Sequence, residues 1–102
     1  MMQLLLAIDA GTTGVTAITA DRSGVVRGRG YRTFPQSFPS PGCVEHDLDD
    51  IWAATLAAGT DAIGADTASV VAVGVTNQRE TACLWNRTTF AQVRPAIVWQ
   101  DR

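Results

Sequence analysis

The chain has 102 residues, a net charge of −2 and 46% hydrophobic residues, a composition typical of one small globular domain rather than a disordered segment. All eight cationic residues are arginine. They form no basic block, which argues against nucleic-acid binding by electrostatics, and there is no lysine for a Walker-type phosphate loop. No apolar run approaches membrane-spanning length. Cys43 and Cys83 fit no metal-ligand spacing, so free thiols are expected. No cation precedes the first apolar run, so we predict no signal peptide and a cytoplasmic location.

An apolar run near the N-terminus ends at a single acid and a small polar turn. Leu4–Ile8 predicts a buried strand, and Asp9 follows it directly. A carboxylate at a strand end suits a hydrated Mg²⁺, because hard cations take oxygen ligands. The glycines of the turn let a ligand approach the backbone closely, and its threonines offer hydroxyl donors to an anion. Its candidate phosphate contacts are Gly11, Thr12, Thr13 and Gly14. An ordinary hairpin turn is the alternative that this stretch alone leaves open.

Two further strands are predicted directly after this turn. Val15–Ala20 is rich in β-branched residues, residues 21–24 carry turn chemistry, and Val25–Phe34 alternates imperfectly. With the first strand they form an antiparallel three-strand meander. Pro35–Asp47 contains three prolines and a glycine, so it is expected to be a loop.

One main helix is predicted from Leu48 to Ile63. Asp47 is its expected N-cap, acidic residues occupy its first turn, and Gly64 lies at its C-terminal end. Trp52 recurs at helical spacing with other apolar residues, so it is expected to pack against the sheet.

The second half of the chain predicts a crossover onto a mixed sheet. Val70–Val75 is a nearly continuous β-branched run, typical of a strand buried on both faces. The polar residues 76–81 follow at once, where ligands bind beyond the carboxyl ends of strands. Ala82–Asn86 predicts another short strand, and Ala96–Trp99 is the last apolar piece.

Arg79 and Glu80 are adjacent in this polar segment. A guanidinium donates in a fixed fork and a carboxylate accepts hydroxyl hydrogens, so together they could bind a small polyol. A surface ion pair is the plainer interpretation. Trp99 could cover the carbons of such a ligand or could belong to the core. His46 stands beside acids as a candidate ligand or base, but a hydrogen-bonded structural role is favoured because it is the only histidine.

The combined motifs are more specific than any one of them. IDAGTTG, PGCVEHD leading into DIW, VGVTNQRET and AIVWQDR occur in this order along essentially the whole chain. Together they resemble the glycerol kinases of the FGGY carbohydrate kinase family. The resemblance implies an actin-like, ribonuclease-H-like α/β fold, of which residues 1–102 would be the N-terminal part of an incomplete first domain.

The resemblance also implies an activity for the full-length protein: ATP-dependent, Mg²⁺-assisted phosphorylation of glycerol to sn-glycerol 3-phosphate, in glycerol metabolism. Gly11, Thr12, Thr13 and Gly14 would bind nucleotide phosphate, and Asp9 would bind Mg²⁺ through water. Arg79, Glu80 and Trp99 would bind glycerol. The catalytic base would lie downstream, so no residue here is assigned that role. The implied partners are glycerol and ATP or ADP, without nucleic acid or membrane, and a homo-oligomer is allowed for the full-length protein.

The sequence departs from the family pattern in the first loop. The family commonly has DQGTTSSR where this chain has DAGTTGVT, so Thr16 stands in place of an arginine that often contacts nucleotide phosphate.

The alternatives to a glycerol kinase are another FGGY sugar or polyol kinase and a truncated, non-catalytic binding fragment. Because half of the cleft would be missing, the fragment alone is expected to be inactive.

Overall fold

The computed structural model describes residues 2–65, 69–78 and 81–98, which fold as one helix packed on a sheet beside a second, smaller sheet. In chain order the elements are β1 (Leu4–Ala10), β2 (Gly14–Ala20), β3 (Val26–Thr33), β4 (Glu45–His46), α1 (Leu48–Ile63), β5 (Val70–Asn77), β6 (Ala82–Trp85) and β7 (Gln92–Ile97). No helix in these ranges is both long and apolar enough to span a bilayer.

The larger sheet has the strand order β3-β2-β1-β5 and confirms the predicted meander and crossover. β1, β2 and β3 pair antiparallel, whereas β5 returns through α1 to lie parallel to β1. Parallel pairing requires a crossover, and α1 supplies it. The carboxyl ends of β1 and β5 consequently lie side by side at one edge of the sheet.

The smaller sheet has the order β4-β7-β6, and the sequence did not predict it. Pro35–Asp47, expected to be entirely loop, contains the two-residue strand β4 and an isolated bridge between Ser37 and Glu45. β7 begins at Gln92, earlier than the predicted apolar piece at 96–99. The expectation was wrong here because β4 is stabilised by long-range pairing with β7, which leaves little trace in local sequence.

Two glycines of β3 allow α1 to lie directly on the sheet. A Cβ atom at Gly28 would lie 1.9 Å from the Ala62 carbonyl oxygen, and one at Gly30 would lie 2.1 Å from the Ala58 carbonyl oxygen. The Thr19 hydroxyl donates to the same Ala62 oxygen at 3.2 Å. The helix backbone therefore packs against bare strand backbone, and the small buried helix residues Ala54, Ala58 and Ala62 continue this contact.

The predicted helix has its predicted ends. The Asp47 carboxylate accepts from the Asp49 amide at 2.8 Å, as an N-cap does, and Gly64 closes the last turn through its amide to the Thr60 carbonyl. Gln92 adds a long-range cap, because its amide nitrogen donates to Asp47 at 2.6 Å and its oxygen accepts from the Leu48 amide at 2.8 Å. This residue ties α1 to the smaller sheet.

Replacing Asp47 by alanine is expected to cost about 1 kcal/mol of stability at neutral pH. The hydrogen bond from Gln92, followed by that from the Asp49 amide, lowers the pKa of Asp47. A carboxyl whose pKa is lower in the folded state contributes stability above its unfolded pKa, and that contribution is lost as pH falls through the folded value. Thermal unfolding between pH 7 and pH 3 measures both effects. Asp47→Asn is the matched control, since asparagine caps without titrating; equal pH dependence in both proteins would contradict the assignment.

Exposed apolar side chains lie on α1 and, separately, on the outer strand β5, contrary to two expectations. Trp52 is 61% exposed instead of packing against the sheet, and Val75 is 70% exposed on a strand predicted to be buried on both faces. The physical reason is that α1 lies over β2 and β3, whereas β5 is the edge strand. Leu56 is also exposed on α1, and Val71 and Val73 are also exposed on β5.

Candidate functional site

The carboxyl ends of β1 and β5 bring two sequence-predicted segments together. Asp9 is the register partner of Thr76, and Ala10 is the partner of Asn77. The pairing continues one residue further, because the Gln78 amide donates to the Ala10 carbonyl at 3.0 Å. The predicted phosphate turn and the polar segment that begins at Thr76 therefore start from the same edge of the sheet.

Asp9 lies in an open depression of about 250 Å³ on the face of the sheet opposite α1. The lining is partly hydroxyl and partly apolar, with one guanidinium: Ala7, Ile8, Asp9, Thr16, Ile18, Arg29 and Thr76. Among the described residues no three histidine, cysteine or acidic side chains converge on a metal position. A single exposed carboxylate flanked by hydroxyls fits Mg²⁺, which keeps several waters and needs only one or two protein carboxylates.

The predicted phosphate turn is a tight connection of residues 11–13. The Gly11 amide donates to the Gly14 carbonyl at 2.9 Å, so this N–H group is already used within the turn. What Gly11 offers a ligand is close approach to a backbone without a Cβ atom. The Thr13 carbonyl accepts from the Phe34 amide at 3.4 Å, and its hydroxyl lies 3.5 Å from the Tyr31 hydroxyl. Thr13 is exposed, and these contacts fix the turn against the end of β3.

Gly14 has a packing reason as well as a predicted binding role. A Cβ atom there would lie 2.6 Å from the Arg32 carbonyl oxygen and 2.8 Å from the Tyr31 hydroxyl. Gly14 therefore lets β3 approach the turn closely. A hairpin turn and a binding loop are compatible interpretations of this stretch, because the packing role of Gly14 does not conflict with its predicted binding role.

Arg29 and Tyr31 are two candidate site residues that the sequence analysis did not single out. Tyr31 is the register partner of Thr16, and Arg29 is the partner of Ile18, so both side chains share the face that carries Asp9. Arg29 lines the depression with Asp9 and makes no ion pair within the part of the chain that the structure describes. Period-two alternation along β3 could have placed Arg29 and Tyr31 on one face, and the register of β3 with β2 makes it the face that carries Asp9.

The three predicted glycerol contacts, Arg79, Glu80 and Trp99, lie outside the described residues. Their immediate neighbours Gln78 and Val98 are described. Gln78 is partly buried beside β1. Val98 is buried, and its amide donates to the carbonyl of Val44, next to β4, at 3.3 Å. The chain is therefore anchored next to each predicted contact.

Residues 4–102 match the N-terminal domain of the FGGY family of carbohydrate kinases, so the chain belongs to this family. Among its relatives, the glycerol kinase of Trichlorobacter lovleyi is 46% identical over 99% of this chain and 21% of that protein. The glycerol kinase of Bordetella pertussis is 48% identical over 98% of this chain and 20% of that protein. The chain spans about a fifth of the length of these relatives.

Solved structures agree on the fold. A Plasmodium falciparum glycerol kinase with ADP superposes over 99% of this chain and 21% of that chain, with a TM-score of 0.87 at 28% identity. A xylulose kinase from Brucella ovis covers 97% of this chain and 21% of that chain, with a TM-score of 0.88 at 26% identity. A Lactobacillus acidophilus gluconate kinase reaches a TM-score of 0.90 at 18% identity, which speaks to fold alone. The chain has the actin-like, ribonuclease-H-like fold, as a part of one domain.

Proposed function

We propose that this chain is the N-terminal part of the first actin-like domain of a cytoplasmic glycerol kinase. The full-length protein would transfer the γ-phosphoryl group of ATP to glycerol and release sn-glycerol 3-phosphate and ADP. The main support is the edge at which β1 and β5 end together, because it joins the Asp9 turn to residues 76–78, the start of the TNQRET segment. The identity of 46–48% to two glycerol kinases supports the choice of glycerol.

Each predicted residue has a role in this proposal. The turn from Gly11 to Gly14 would hold the nucleotide phosphates, and Asp9 would hold Mg²⁺ through water. Mg²⁺ would neutralise the charge on the transferring phosphoryl group. Arg79 and Glu80 would bind the glycerol hydroxyls, and Trp99 would pack on the glycerol carbons. Phosphoryl transfer depends mainly on positioning and charge neutralisation, which these residues can supply.

Catalysis requires more than this chain. No residue of the chain is proposed as the general base, which would come from the remainder of the protein. The exposed apolar side chains of α1 and β5, Trp52 and Val75 among them, are suitable for that remainder to pack on. We therefore expect the 102-residue chain alone to be inactive with Mg-ATP and glycerol.

A different FGGY kinase is the second candidate. The Brucella ovis xylulose kinase matches the fold as well as the Plasmodium falciparum glycerol kinase does, so fold alone does not choose the substrate. A truncated, non-catalytic binding fragment is the third candidate. An assay of the full-length protein separates the first two from the third.

The experiment that tests the proposal is substitution of the predicted glycerol contacts in the full-length protein. Arg79→Ala and Glu80→Gln are each expected to raise the KM for glycerol roughly 10- to 100-fold, because each removes hydrogen bonds to a charged group. The KM for ATP should change less than about twofold, since neither residue is assigned to the nucleotide.

Arg87→Ala is the matched control, because it removes the same charge from the exposed turn between β6 and β7. Its KM for glycerol should equal that of the unmodified enzyme. An unchanged glycerol KM in both site variants would contradict the assignment of Arg79 and Glu80.

A further inference from the structure

His46 is the most completely buried large side chain of the smaller sheet, with no exposed surface. Its ring packs edge-on against Phe34, with the ring centroids 4.9 Å apart. Its Nδ1 atom lies 3.1 Å from the amide nitrogen of Gln78. Burial lowers the pKa of His46, which favours the neutral form of the ring.

Gln78 connects this histidine to the candidate site. Its side chain meets His46, its backbone amide donates to the Ala10 carbonyl at 3.0 Å, and the next residue in the chain is Arg79. A single residue therefore contacts the smaller sheet and the end of β1 immediately before the predicted glycerol contacts.

The surroundings of His46 reach the other predicted site segments as well. Phe34, which contacts the ring, donates its amide to the Thr13 carbonyl of the phosphate turn. His46 is the register partner of Ala96 on β7, and the Val98 amide bonds to Val44, two residues before His46. Val98 directly precedes Trp99. The phosphate turn and the described residues next to the other two predicted site segments, Gln78 and Val98, are thus within one or two contacts of this ring.

Stability alone does not account for this polar pair. His46 Nε2 and Gln78 Oε1 are buried, and neither finds a hydrogen-bond partner among the residues that the structure describes. Two apolar side chains of similar shape in place of His46 and Gln78 would avoid the cost of desolvating these polar atoms. Their effect on the free energy of unfolding would be about neutral or stabilising. A buried hydrogen bond does impose one relative orientation on the two elements that it joins.

We propose that His46 and Gln78 form a positioning pair that fixes the end of β5 relative to the phosphate turn. This inference rests on the proposed function, because two of the proposed glycerol contacts, Arg79 and Glu80, directly follow Gln78 in the sequence. Neither residue touches substrate in the proposal. Their hydrogen bond holds the segment that leads into Arg79 against the end of β1.

The test uses the full-length enzyme with His46→Leu, Gln78→Met and the double variant. Each single variant should raise the KM for glycerol about tenfold, because it breaks the hydrogen bond that orients the end of β5. The double variant should also show about a tenfold rise rather than a hundredfold one, since both substitutions break the same bond. His46→Asn, which keeps a polar atom near the Nδ1 position, should restore the KM to within about threefold of the unmodified enzyme.

Leu4→Ala is the structural control, because Leu4 is buried at the opposite end of β1. It should lower the unfolding temperature without raising the glycerol KM. A glycerol KM within twofold of the unmodified enzyme in the double variant would overturn the proposal, as would single effects that multiply. Failure of the proposed function gives a different result, because the unmodified enzyme would then not phosphorylate glycerol at all.

Discussion

Alanine at Gly28 or Gly30 is expected to destabilise the domain by about 3 kcal/mol, at the upper end of the range for overpacking. The new Cβ atoms would lie 1.9 Å and 2.1 Å from carbonyl oxygens of α1. Both obstacles are helix backbone, so no side-chain rotation can relieve the overlap. α1 would have to move away from β3 and would lose the hydrogen bond from Thr19. The unfolding temperature of the full-length protein measures the effect.

Gly59→Ala is the matched control for these two variants. Gly59 lies on α1, and a Cβ atom there would meet nothing within 4 Å. Alanine in a helix interior is favoured over glycine by up to about 1 kcal/mol, so this variant should be as stable as the unmodified protein or more stable. An unfolding temperature for Gly28→Ala and Gly30→Ala equal to that of the unmodified protein would contradict the close packing of α1 on β3.

Asp9→Asn is expected to lower kcat of the full-length enzyme by about 100-fold or more. The carboxylate is the proposed anchor for hydrated Mg²⁺, and stabilisation of the transferring charge by a metal is worth several kcal/mol. The KM for glycerol should change little, because Asp9 is assigned to the nucleotide side. Steady-state kinetics with varied Mg²⁺ and ATP provide the measurement.

Asp49→Asn is the control for this charge change, since Asp49 is an exposed acid in the first turn of α1. Its kcat should remain within twofold of that of the unmodified enzyme. If Asp9→Asn retained more than a tenth of the kcat at all Mg²⁺ concentrations, the assignment of Asp9 to the metal would be wrong.

Local signals in the sequence predicted the larger sheet and the helix well. The bounds of α1, Leu48–Ile63, follow from an N-cap aspartate and a terminal glycine that act within one turn of the chain. β5 was predicted over Val70–Val75. It starts at Val70 but extends to Asn77, because backbone pairing with β1 continues past the apolar residues. The position of the polar segment at a strand end was predicted from the same pattern.

The features that sequence reasoning missed depend on distant parts of the chain. β4 has only two residues, and its strand character comes from pairing with β7 about fifty positions later. The need for Gly28 appears only when α1 lies on β3. Burial of Trp52 was predicted wrongly. Apolar residues at helical spacing indicate a face that favours burial, but they do not show which part of the protein packs against it.

In the candidate site, too, the residues that are close in sequence were predicted, and those brought together only by the fold were missed. Asp9 and the turn after it were recognisable because strand, acid and glycine are consecutive in the sequence. Arg29 lies twenty positions away and comes to the same face only through the register of β2 and β3. The link between His46 and Gln78 joins residues 32 positions apart, so neither residue alone indicates it.

The measurement that tests the central claim most directly is product analysis by ³¹P NMR. The full-length protein would be supplied with Mg-ATP and an equimolar mixture of glycerol, xylulose and gluconate. We predict that sn-glycerol 3-phosphate is the main phosphorylated product, formed with a kcat/KM about 100-fold above that for either sugar substrate. Phosphorylation of xylulose or gluconate while glycerol remains unmodified would contradict the assignment and indicate a different member of the FGGY family.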